Sequence, residues 1–121
     1  FTFIPDQGVA ATQPGTFTDW DLEDERRYLN QLFQATPADS VSNLKLEEEV
    51  RNEGITTATF TQNYELIVRH TRQADNIPAV IRGQSKFWLE VNETGDWAIY
   101  TWEDFSNGVD PSWSELKAVF Q

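Results

Sequence analysis

Gly83-Gln-Ser-Lys-Phe-Trp-Leu-Glu-Val-Asn-Glu-Thr-Gly-Asp-Trp-Ala-Ile-Tyr-Thr-Trp-Glu-Asp-Phe105 is the stretch that decides the fold. Its two arms alternate as β-strands around an Asn92 to Asp96 turn, and both parities carry aromatic residues. A strand with one wet face alternates apolar with polar, whereas strands bearing Trp, Tyr and Phe at both parities are covered on both sides by protein or by a partner. The stretch predicts a curved sheet with a filled or ligand-holding concave side and a second surface for association.

Register follows from parity. With Val91 opposite Trp97, Leu89 faces Ile99 and Phe87 faces Thr101 on one side; Glu90 faces Ala98, Trp88 faces Tyr100 and Lys86 faces Trp102 on the other. A one-residue slip would mix the two faces, which the hydrophobic pattern disfavours. Phe87, Leu89, Val91, Trp97 and Ile99 are expected on the core side. Trp88, Tyr100, Trp102 and Lys86 are expected outside, where an opposed aromatic pair is worth roughly 0.2–1 kcal/mol and clustered aromatics signal an interface.

Upstream, Phe1 to Asp6 reads as a short strand stopped by Pro5, and Gln7 to Thr18 as a loop carrying Gly8, Pro14 and Gly15. Asp19 to Gln34 reads as an amphipathic helix capped by Thr18 or Asp19, with early acids against its dipole and a buried stripe of Leu22, Leu29, Leu32 and Phe33. Strands are expected over Ser40–Arg51, Thr57–Arg72 and Ile77–Val91. Gly54 turns the first pair, and Asn76 with Pro78 interrupts the next. A short helix from Ser112 through Trp113, Leu116 and Phe120 closes the order.

At 121 residues the chain is one domain, 1–121, able to bury about two-thirds of its unfolded surface. Twenty acids against nine bases give a net charge of −11, which argues against nucleic acid and anionic membranes. Cys is absent, so there is no disulfide framework and no thiolate chemistry. No run approaches the roughly 18–20 apolar residues of a membrane span, and the chain is expected to be soluble. A chain opening at Phe1 without Met is expected to be a processed product or fragment, which leaves room for export after cleavage.

Gly95-Asp-Trp-Ala-Ile-Tyr-Thr-Trp-Glu-Asp-Phe105, preceded by Arg82-Gly-Gln-Ser-Lys-Phe-Trp-Leu89 and followed by Ser112-Trp-Ser-Glu-Leu-Lys-Ala118, resembles the C-terminal half of nuclear transport factor 2-like (NTF2-like, SnoaL-like) bacterial proteins. The resemblance implies an α+β, cone-shaped (cystatin-like) fold: a strongly bent, mostly antiparallel sheet on one main helix, with a pocket at the wide end. The chain departs from that pattern in lacking the helices that usually precede the strand at Phe1–Ile4. Its concave residues, Phe60, Tyr64, Leu66, Phe87, Leu89 and Trp97, are then expected to be covered by an upstream segment, a small apolar molecule or another copy in a dimer or larger assembly.

Two functions follow as expectations. The first is a non-catalytic binding and association module, using the concave pocket and the aromatic outer face. The second is a small lyase or isomerase with His70, Glu103 or Asp6 supplying acid–base groups in the cone. Glu48 also has inward parity unless a bulge at Glu47-Glu48-Glu49 turns it out. No phosphate loop, zinc-pair spacing or nucleophile elbow occurs, so no cofactor or metal is expected. Asn92-Glu-Thr94 matches a glycosylation acceptor in the hairpin turn.

Overall fold

The computed structural model describes residues 1–72 and 77–121; Asn76, expected as a strand break, lies outside the described residues. The elements run β1 (Thr2–Ile4), α1 (Gln7–Thr12), α2 (Leu22–Gln34), β2 (Asn43–Glu53), β3 (Thr57–Ile67), β4 (Val80–Val91), β5 (Trp97–Ser106) and α3 (Trp113–Val119). They form one curled five-stranded sheet of order β1-β5-β4-β3-β2, antiparallel except where β1 joins β5 in parallel. The fold is α+β.

α2 begins later than the sequence suggested, because Asp21 makes the better cap. Its carboxylate accepts from the Glu23 and Asp24 N–H groups, and the Asp24 carboxylate accepts from the Asp21 N–H at 3.0 Å. The buried stripe is also rotated. Tyr28 and Leu32 are buried and Leu29 packs against them, while Leu22 and Phe33 are 47% and 60% exposed. Glu25, Tyr28, Leu29 and Leu32 hold the i, i+3, i+4, i+7 positions of one face, so Tyr28 rather than Phe33 anchors the helix. α1 forms inside the expected loop, where the Asp6 carboxylate caps Gly8 and Val9 and Val9 is buried.

Two β-bulges set the faces of the sheet. β4 and β5 pair as parity requires from Val91↔Trp97 to Leu89↔Ile99; then β5 inserts an extra residue, Tyr100, and the register resumes as Trp88↔Thr101, Phe87↔Trp102 and Lys86↔Glu103. The expected pairs Trp88 with Tyr100, Phe87 with Thr101 and Lys86 with Trp102 are therefore each one residue off. Trp102 is 8% exposed, on the helix-facing side. In β2 the extra residue is Glu49, so Glu48 stays on the inner face opposite Gln62 and Arg51 joins it opposite Phe60.

Cross-strand rows define that inner face. Nearest the turns lie Glu53, Ala58, Leu89 and Ile99; next Arg51, Phe60, Phe87, Trp102 and Phe3; then Glu48, Gln62, Ser85 and Asp104. The helices cover only one end of these rows. Phe3, Trp20, Tyr28, Leu32, Tyr64, Leu66, Ile81, Trp102, Leu116 and Phe120 make a continuous buried core, which we call the base. β2 is exposed along its whole length, and Trp97 and Ile99 remain 49% and 43% exposed; this is the distal half.

Candidate functional site

The base is polar at its centre, and among the described residues the buried Ser112 hydroxyl is the side-chain group there left without a hydrogen-bond partner. Asp104 is buried on β5, where its Oδ1 accepts from the Tyr64 hydroxyl at 2.7 Å and its Oδ2 accepts from the Ser114 hydroxyl and N–H at 2.6 and 2.8 Å. The Tyr64 hydroxyl in turn accepts from the Trp113 N–H at 2.8 Å, which ties α3 to the sheet. Gly83 makes this possible: a Cβ there would stand 2.6 Å from the Tyr64 hydroxyl and 2.7 Å from the Phe105 carbonyl oxygen. Burial pushes the Asp104 carboxyl above its ordinary value, against the pull of its hydrogen bonds.

One turn along α3, Lys117 buries its ammonium in a cage of rings. Nζ lies 3.8 Å from the ring centroid of Trp102, 3.9 Å from Phe3, 5.1 Å from Tyr28 and 5.6 Å from Trp20. It donates to the Glu25 carboxylate, which also accepts from the Trp20 indole N–H at 2.9 Å. Burial pulls the Lys117 amine down to about 8, and Glu25 opposes that shift. The side chain has no exposed surface, so the cage holds an internal cation rather than offering a site.

The surface carries several open grooves; one of about 460 Å³ lies at the base end against Tyr64, Arg82, Gly83 and Ser106, and two lie in the distal half. A groove of about 370 Å³ is lined by Glu53, Gly54, Ala58, Phe60, Leu89 and Trp97. Its walls are aliphatic and aromatic, and Glu53 is the one ionisable group among them. Arg51 lies 5.2 Å over the Phe60 ring, donates to Glu48 at 2.7 and 3.0 Å and stands 3.4 Å from Glu53. One guanidinium thus serves two carboxylates. On the outer face a second groove, of about 420 Å³, has Trp88, Tyr100, Thr57, Thr59 and Asn52 in its walls, with the Lys86 ammonium 4.5 Å over the Trp88 ring.

Of the expected pocket residues, Phe60, Leu89 and Trp97 meet at the inner groove and Phe87 is half-buried in the adjoining row. Tyr64 and Leu66 instead belong to the closed base. Trp102, expected on the outer interface, packs edge-to-face with Phe3 and Trp113 and tilted against Phe87, with centroids 5.2, 4.6 and 5.5 Å apart, and its indole N–H donates to Ser85 at 3.1 Å. Trp88, Tyr100 and Lys86 stay outside.

The acid–base candidates do not converge. His70 is buried beyond the end of β3, its Nδ1 accepting from the Arg72 N–H at 3.2 Å, which leaves Nε2 to donate to the Pro78 carbonyl at 3.3 Å. Asp6 caps α1 and accepts from the Ser106 N–H at 2.8 Å. Glu103, expected to point inward, is turned to the opposite face from Trp102 and Asp104 by the Tyr100 bulge. Arg82 donates to Glu65 at 2.8 Å and lies 3.5 Å from Asp110. Asn92 organises its turn, its side-chain oxygen accepting from the Thr94 and Asp96 N–H groups, both at 3.0 Å.

Sequence reasoning missed Lys117 and Asp104. Lys117 had a signal, since Trp113, Leu116, Lys117 and Phe120 occupy i, i+3, i+4 and i+7 of one helical stripe, and a lysine at a core position demands a buried partner. Asp104 had none without the bulge. Among the described residues no group of three or more His, Cys, Asp or Glu is placed to hold a metal ion, and no helix is long and apolar enough to cross a membrane. No known protein family, curated protein or solved structure matches the chain.

Proposed function

We propose that this protein is a non-catalytic binding module of the nuclear transport factor 2-like kind, whose inner distal groove receives a small, largely apolar molecule. The supporting observation is the combination of a groove of about 370 Å³, inside the range of ligand sites, with walls of Ala58, Phe60, Leu89 and Trp97 left uncovered by the helices. A general acid–base enzyme needs at least two convergent polar groups where substrate can reach them. Glu53 stands alone in the groove lining, and the Asp104–Tyr64 pair, 1% and 3% exposed, is engaged in hydrogen bonds with Ser114 and the Trp113 N–H.

The neutral probe 1-octanol, titrated while backbone amide NMR shifts are followed, tests this reading. Shifts should concentrate at Ala58, Phe60, Leu89 and Trp97, and Leu89→Asp or Trp97→Ser should abolish them without unfolding the chain. Shifts scattered over the surface, or none, would remove the support. A second reading, self-association through the outer face, is favoured by Trp88 and Tyr100 lining one groove there. If it holds, light scattering will give a mass above that of one chain, and Trp88→Ser with Tyr100→Ser will lower it.

A further inference from the structure

The charge around the inner groove is lopsided. Arg51 answers both Glu48 and Glu53, so this triad keeps one unit of negative charge beside the Phe60 ring. Glu93 and Asp96 stand exposed in the turn that follows Val91, at the same end of the sheet, while Glu90 shares the outer face with Lys86. Lys86 lies on the opposite face, over Trp88. Trp97, 49% exposed, offers an open indole face in the wall that also holds Glu53. Indole is the ring that best attracts a cation, and a carboxylate at the mouth of an apolar cleft adds to that attraction.

From this complementarity we propose that the groove takes an amphipathic organic cation: an aliphatic body against Phe60, Ala58 and Leu89, and a positively charged head between Trp97 and Glu53. The inference rests on the binding reading above and names its ligand class. A second copy of this chain is the poorer occupant of this groove, because it carries the same net charge of −11 and would bring acids to acids. An anionic amphiphile would meet the same repulsion.

Octyltrimethylammonium, 1-octanol and octyl sulfate share one tail and differ in head charge. Each is titrated below its micelle concentration into the protein, at low and at high salt, with the Ala58, Leu89 and Trp97 amides as reporters. The cation should bind at least about threefold more tightly than octanol at low salt, the sulfate should bind most weakly, and the cation's advantage should shrink as salt rises. Glu53→Gln should cut that advantage, and Trp97→Leu should cut it too with the groove still apolar, each read as the ratio of cation to octanol affinity within the same variant. Octanol binding as tightly as the cation, or a cation advantage untouched by both substitutions, overturns the inference and leaves the binding reading standing. Failure of all three to bind overturns both.

Discussion

Trp97 and Trp102 lie on one strand and face the same side of the sheet, yet Trp97 is 49% exposed and Trp102 is 8% exposed. Around Trp102 every partner is in place: Phe3, Phe87 and Trp113 pack its ring, Ser85 accepts from its indole, and the Lys117 ammonium lies on its face. Around Trp97 there is a groove. The contrast teaches that aromatic content alone does not distinguish a core from a binding surface. The helices decide it, since α2 and α3 cover one end of the inner face and leave the other end open.

The largest expected effect sets the two tryptophans against each other. Trp102→Ala should cost about 3–5 kcal/mol, as for a large aromatic removed from a packed core, while Trp97→Ala should cost less than about 1 kcal/mol. Urea denaturation of both variants measures the difference; equal losses would break the division into base and distal half. Glu25→Gln comes next. It strips the caged ammonium of its charged partner and should cost about 2–4 kcal/mol, below a fully buried pair because Glu25 keeps 12% of its side chain exposed.

Gly83→Ala should be smaller, at about 1–3 kcal/mol, because the new methyl presses on the Tyr64 hydroxyl and the Phe105 carbonyl together. Thermal unfolding checks it, and a neutral outcome would mean that Tyr64 does not lie over the strand as described. In the distal half, Leu46→Thr should change stability by under about 0.5 kcal/mol, since Leu46 sits on an exposed edge strand.

The caged lysine also gives the base a pH signature. Its folded value, about 8, lies below the ordinary 10.5, so the unfolded chain binds more protons between those limits and stability rises with pH through that window. Burial holds the Tyr28 and Tyr64 phenols above their ordinary value, so near pH 10 and beyond the unfolded chain loses protons that the folded chain keeps, and stability falls. Between pH 8 and 10 the net gain should be about 1–2 kcal/mol. Lys117→Met should flatten that rise and leave the fall above it, and a wild type that only loses stability from pH 8 upward would contradict the cage.

Much of the architecture was legible in the chain. The strand–helix–four-strand order, the terminal helix and the hairpin register from Val91↔Trp97 to Leu89↔Ile99 all follow from parity and turn chemistry. The failures share a cause. Parity counts residues, and a bulge adds one without marking itself: Tyr100 is as good a strand residue as its neighbours, yet accommodating it carries Trp102 and Asp104 inside and Glu103 out. Nothing local reports that Asp104 will find Tyr64 and Ser114 waiting. The α1 helix was hidden by its Gly8 and its brevity, though Asp6 was a sound cap. At the site, Phe60, Leu89 and Trp97 were readable as one face, whereas its openness depends on where α2 and α3 stop.

Native-state hydrogen exchange tests the two-part account most directly, because it reads the opening free energy of each amide. Amides of the base, in Tyr64–Leu66, Ile81–Ser85 and Trp102–Asp104, should exchange only through global unfolding. Those of Ala58, Leu89, Val91 and Ile99 should exchange through smaller openings, and saturating octyltrimethylammonium should slow the distal set while adding to the base only the gain in global stability that ligand binding confers. Uniform protection across the sheet, or ligand protection confined to the base, would contradict the division between a closed base and an open binding half.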